Sequence, residues 1–176
     1  MRYSLLPTIA LFLCIALPAS AQEHDNSAYL ASFKDDFNGS SEKLADLAGA
    51  FSEELYAWRP ADGIRSVSEV YVHVTQANFG LASALGAEMP ADWPEDAEKN
   101  ITSKEDVMMW LEKSQKHVHG MLDTIGTMDL GGTIQFYGND MSRFRVLAIL
   151  AGHSHEHLGQ AIAYARSNGV APPWSQ

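Results

Sequence analysis

Cysteine is almost absent from this chain of 176 residues: Cys14 is the only one. It lies inside an N-terminal segment that does not read as part of the fold. Without it, disulfides, thiolate zinc sites and a cysteine nucleophile are all excluded from the rest of the chain. Positive charge is also scarce. Twelve Lys and Arg face 22 Asp and Glu, for a formal charge of −10. The basic residues are scattered singly, so no basic face exists for nucleic acid, and an anionic membrane surface is excluded as a partner on the same ground. Proline is missing from the periodic stretches, and strand-like alternation is weak. No glycine-rich phosphate loop, internal repeat or low-complexity tract is present.

One long apolar run exists, Leu5 to Leu17, behind Met1-Arg2 and ahead of Pro18-Ala19-Ser20-Ala21. A positive start, a short apolar stretch and small residues at its end are the marks of a cleavable secretory signal, and the run is short for a membrane span. Leu13 stands before Cys14 where lipidation needs a small residue, so a lipoprotein anchor is rejected. The expected organisation is a signal peptide over 1–21 and one domain over 22–176. The expected location is the periplasm or the medium, with no membrane attachment after cleavage.

Four stretches carry helical periodicity. Leu30, Phe33, Phe37, Leu44, Leu47 and Phe51 recur at three- and four-residue steps, with Ser40 as the one polar member, and predict a first helix from Ser27 to Ala50. Gly39 weakens its middle. Residues 51–60 read as a connector in which Trp58 plugs the bundle end. Ser66-Val-Ser-Glu69 is a capping box that predicts a second helix from Ser66 to Leu85, stopped by Gly86. Residues 86–100, with Pro90 and Pro94 and the acids Asp92, Glu95, Asp96 and Glu98 among them, read as a solvated crossover loop. Thr102-Ser-Lys-Glu105 reads as a second capping box, opening a third helix that runs to Met128. His117 and His119 on it face different sides and are assigned to the surface. Residues 130–138 read as a connector with some extended character. Asn139 or Asp140 is expected to cap a last helix ending at Asn168-Gly169. Four such helices predict an all-α fold, a four-helix bundle, the architecture in which metal sites form between facing helices.

The chemistry-bearing stretch is Gly152-His153-Ser154-His155-Glu156-His157-Leu158-Gly159-Gln160. Residues four apart share one helix face, so His153 and His157 point the same way and can chelate one divalent ion. Gln160 falls between them in projection. Glu156 sits about 60° to one side, and His155 faces elsewhere. A third ligand must come from another element. His73 is the candidate, because it is the only other histidine inside an apolar, capped helical segment. The competing reading makes His73 a core residue and the 153–157 cluster a polar surface.

The residues also resemble a known family. Tyr56-Ala-Trp58-Arg59-Pro60 with Arg65-Ser66-Val67, Val72-His73-Val74, His153-x-x-x-His157-x-Gly159-Gln160 and Tyr164-Ala-Arg166 through Pro172-Pro173 follow, in order, the pattern of the DinB/YfiT-like proteins, across essentially the whole of 22–176. The resemblance implies a four-helix bundle holding a divalent ion, commonly zinc or nickel, on three histidines, here His73, His153 and His157. It implies chemistry on a small-molecule substrate, with thiol-dependent transferases among the relatives, and a homodimer, since relatives often pair. The export signal departs from a family that is mostly intracellular.

Three neutral imidazoles leave a coordination position open, as in catalytic rather than structural sites. Glu156 is a candidate to orient an imidazole or shuttle a proton, and Gln160 to hydrogen-bond what the ion binds. Hydrolysis and thiol transfer both fit. A non-enzymatic periplasmic metal-binding or carrier protein is the rival, and a metal-free helical interaction module is a third reading. Catalysis would show as an open position facing a pocket beneath the 86–100 loop.

Overall fold

A computed structural model describes residues 25–175. The leader expected over 1–21 therefore lies outside the described residues. The fold is mostly helical. Four long helices, α1 (Ser27–Ala50), α2 (Val67–Ala84), α4 (Lys104–Thr124) and α5 (Arg143–Ser167), accompany a short α3 (Ala97–Asn100) and a hairpin of β1 (Thr133–Phe136) and β2 (Asn139–Ser142). Helix α2 packs on α4 and α5, and α1 packs on the same two, so α1 and α2 lie across the bundle from each other. Among the described residues no helix is long and apolar enough to cross a membrane.

Local chemistry sets most boundaries. Ser66 and Glu69 close the expected capping box: Ser66 Oγ accepts from the Glu69 amide, and Glu69 Oε2 accepts from the Ser66 amide at 2.7 Å. Arg59 fastens the approach by donating to the Ile64 carbonyl and pairing with Glu69. Tyr56 anchors it to α1 through the Ala48 carbonyl. Gly39 leaves α1 unbroken. Trp58 packs edge-on against Tyr164. The left-handed Gly86 and Gly169 follow the ends of α2 and α5.

Four expectations need correction. The cap of α4 is Ser103, which accepts from the Asp106 amide, rather than Thr102. Either hydroxyl has an acid three residues on, Glu105 for Thr102 and Asp106 for Ser103, and Ser103 makes the bond. That helix ends at Thr124, short of Met128, because Asn26 donates to the Gly126 and Met128 carbonyls and turns the chain there. Residues 133–142 form an antiparallel hairpin, with Phe136 opposite Asn139. Asn139 and Asp140 are thus strand residues, and Ser142 caps α5. His117 and His119 are half-buried rather than superficial, packed edge-on against Phe79 and Phe37 respectively.

The apolar interior is two cores, not one. Leu44, Leu47, Phe51, Tyr71, Val74 and Leu111 belong to the first. Phe37, Leu81, Val118, Met121, Leu147 and Leu150 belong to the second. Between them every long helix supplies a buried polar residue: Ser40, Asn78, Ser114 and Ser154. The serines satisfy themselves on carbonyls of the preceding turn, and Asn78 donates to Ser114 across the α2–α4 contact at 3.1 Å. Ser40, the polar break in the α1 seam, is part of this belt. The three candidate ligands stand beside it: His73 precedes Val74 and Asn78 on α2, and His153 and His157 flank Ser154 on α5.

Candidate metal centre

His73, His153 and His157 converge, each with a ring nitrogen within 4.8 Å of the others. Ring centroids are separated by 5.0 Å for His73–His153, 4.9 Å for His73–His157 and 4.3 Å for His153–His157. The i, i+4 pair comes from one face of α5, and α2 delivers His73 opposite it. Nε2 of His73 and Nε2 of His153 are 3.2 Å apart. A tetrahedral ion bonded to nitrogens at about 2.0–2.1 Å would hold them about 3.3 Å apart, so this edge already has the spacing of a coordination polyhedron.

The far side of two rings is held by hydrogen bonds that fix which nitrogen faces inward. His73 Nδ1 lies 3.1 Å from Glu98 Oε1, and Glu98 Oε2 accepts from Arg65 Nε at 3.0 Å. A carboxylate can only accept, so Nδ1 carries the proton and Nε2 is left bare. His157 Nδ1 lies 2.7 Å from Gln160 Oε1. The Gln160 amide nitrogen donates to the Tyr164 hydroxyl, which donates to the Arg65 carbonyl at 3.1 Å. Both relays therefore terminate on Arg65, one at its guanidinium and one at its backbone. An imidazole tethered through Nδ1 to a carboxylate or amide oxygen is the usual support of a metal-ligating histidine.

Protonation is suppressed where ligation needs it suppressed. Burial pulls the His153 pKa down to about 4, helped by His157, His73 and Arg65. Burial also lowers that of His73, with Arg65 and His157 acting the same way. Glu98 pushes His73 upward and loses to desolvation. These two imidazoles are neutral at pH 7 and offer lone pairs. Three clustered imidazoles, two of them oriented from behind, fit a divalent ion of the zinc–nickel type.

Glu156 does not join the cluster: it is exposed on α5. Gln160 does join, but behind His157 rather than in front of it. His155 is exposed and lies 3.2 Å from Asp36 of α1. The carboxylate that reaches the histidines is Glu98, on the short α3 inside the 86–100 crossover. The only sequence signal for it was an acidic loop longer than packing requires. Nor do His73 and His153 open beneath that loop. They line a hollow of about 210 Å³ between α2 and α5, under the hairpin tip at Phe136 and Tyr137. The loop borders a different hollow, of about 490 Å³, that contains none of the three histidines.

Comparison with known proteins agrees with this fold. The most similar solved structures include a DinB-like protein from Bacillus cereus ATCC 10987, 20% identical over 81% of this chain and 95% of that one, with a TM-score of 0.71. A DinB-like protein of Bacillus subtilis, YjoA, is 17% identical over 80% of this chain and 93% of that one, with a TM-score of 0.64. No functionally curated protein matches the sequence significantly. The sequence profile of the DinB superfamily matches residues 37–161, a span that begins in α1 and takes in all three histidines, and the chain belongs to that superfamily.

Proposed function

We propose that the protein is an exported metal-dependent enzyme that acts on a small molecule at the His73–His153–His157 centre. The observation that carries this reading is the arrangement itself: three clustered imidazoles, two tethered from behind by Glu98 and Gln160, with His73 and His153 opening onto a hollow. A purely structural site would be closed by a fourth protein ligand. A divalent ion, zinc or nickel, would supply Lewis-acid polarisation and a nucleophile usable at neutral pH. The chain's own residues do the rest. His73, His153 and His157 hold the ion. Glu98 keeps the His73 Nδ1 proton in place, and Gln160 keeps that of His157. Gln160 is a positioning residue in this reading, and Glu156, exposed on the outer face of α5, has no part in it. Hydrolysis and thiol transfer are both compatible with such a centre. The leader-like residues 1–21 support export to the periplasm or beyond, and the net charge of −10 argues against nucleic acid as substrate.

Cobalt substitution tests this directly. Cobalt(II) in place of the native ion should give visible bands that shift when azide or a small thiol is added, because an open position accepts them. Bands that ignore both additives would make the protein a binder or carrier of metal. No cobalt uptake at all would end the metal reading.

A further inference from the structure

We propose that the hollow beside the histidines seats a neutral, apolar group of the substrate, about the size of one aromatic ring, with the reacting end directed at His73 and His153. This rests on the reading of those histidines as a metal centre.

The walls exclude charge. Leu81, Ile149, Phe136, Ala77 and Gly80 supply apolar surface, and the polar groups are the two imidazoles, the Gln76 amide and the Tyr137 side chain. No Lys, Arg, Asp or Glu lines the hollow, so a charged substituent entering it would lose water and gain no counter-charge. Size narrows the class further. The hollow holds about 210 Å³, whereas an apolar protein cavity of about 150 Å³ is enough to take benzene.

Two residue choices at the hollow's wall fit this occupant. Tyr137 is 85% exposed and has φ of 48°, in the left-handed region that side chains avoid. With Gly138 at φ 76° it forms the hairpin turn, where Asn or Gly would be easier. Its ring meets the fold edge-on at Phe136, 4.5 Å between centroids, and it stands over the hollow. Gly80 lies inside α2, where Ala would favour the helix. A Cβ placed there meets no atom within 4 Å. Packing does not require the glycine, and its effect is to keep the hollow open. Sites where local preference is overridden without a packing gain are where function is expected.

Benzyl alcohol, benzylamine and benzoate share one ring and differ in charge. Their binding is measured by ligand-observed NMR at pH 8, first on metal-free protein so that none can bind through an ion, then on zinc-loaded protein. Zinc affinity is titrated separately on every sample. Benzyl alcohol should bind both forms, with the ions weaker by about tenfold or more in the metal-free protein. Gly80→Leu should abolish binding of the alcohol and leave zinc affinity unchanged. Tyr137→Ala, at an exposed position outside the core, should weaken the alcohol several-fold and serves if Gly80→Leu fails to fold. Equal binding of all three probes overturns the proposal, as does alcohol binding that neither variant changes. A protein that takes the alcohol but no zinc overturns the metal reading, and the hollow's preference for a neutral ring stands.

Discussion

Removing the Glu98 carboxylate should weaken metal binding although it touches no metal. Glu98 accepts a hydrogen bond from His73 Nδ1 at 3.1 Å and is itself held by Arg65 at 3.0 Å, with 30% of its side chain exposed. A hydrogen bond to a charged acceptor contributes about 1.5–3 kcal/mol and a neutral one about 0.5–1.5 kcal/mol. Glu98→Gln keeps an acceptor oxygen and loses the charge, a difference of about 1 kcal/mol, or roughly fivefold in Kd. Glu98→Ala leaves the imidazole untethered, for which the usual cost of losing such a partner is about 10–100-fold in metal affinity. Competition against a chromophoric chelator above pH 7 isolates this effect, because the imidazole of His73 is already neutral there. Circular dichroism checks that the bundle persists. Glu156→Ala, on the exposed face of α5, should match the parent. Should Glu98→Ala bind zinc as tightly as the parent with its helices intact, or Glu156→Ala be the weaker of the two, the tethering argument fails.

Other consequences follow from the same geometry. His73 and His153 have pKa values lowered from 6.5 by folding, so the unfolded chain takes up more protons as pH falls. Their contribution to metal-free stability is therefore full above about pH 6.5 and is lost as pH drops toward about 4. Urea midpoints of metal-free protein should fall across that window, and His153→Ala should flatten the slope; an unchanged slope would contradict the assigned burial effect. Gln160→Leu removes the acceptor for His157 and should lower zinc affinity about 10–100-fold by the same titration. Ser66→Ala breaks the capping box of α2 and should cost about 1 kcal/mol by chemical denaturation, with zinc affinity little changed.

The legible parts of this molecule are those written in local chemistry. The cap at Ser66, the seam from Leu30 to Phe51 and the shared face of His153 and His157 each depend on residues within a turn or two of one another. His73 stood out as the only other histidine in a capped apolar helical segment, with its reading as a core residue left open until the fold placed it against the other two. What the sequence concealed was set by contacts across the chain. Asn26 ends α4 by reaching carbonyls 100 and 102 residues away. Thr102 and Ser103 offer the same local cap signal, each with an acid three residues on, so the sequence does not separate them. The hairpin was hidden because each strand has four residues and is half-exposed, so alternation had no length in which to show. Glu98 was one acid among several in its loop, and only the fold brings it to His73. The polar belt was invisible for the same reason: Ser40 reads as a flaw in a seam until Asn78, Ser114 and Ser154 are seen at the same level of the bundle.

The central claim is that three imidazoles share one ion. Elemental analysis of untagged protein, beside single alanine variants of His73, His153 and His157 prepared identically, tests it most directly. The account predicts a stoichiometric divalent metal in the parent and its loss in each folded variant. Metal retained at parental levels when any of these histidines is removed, or a parent that never binds one, would contradict it.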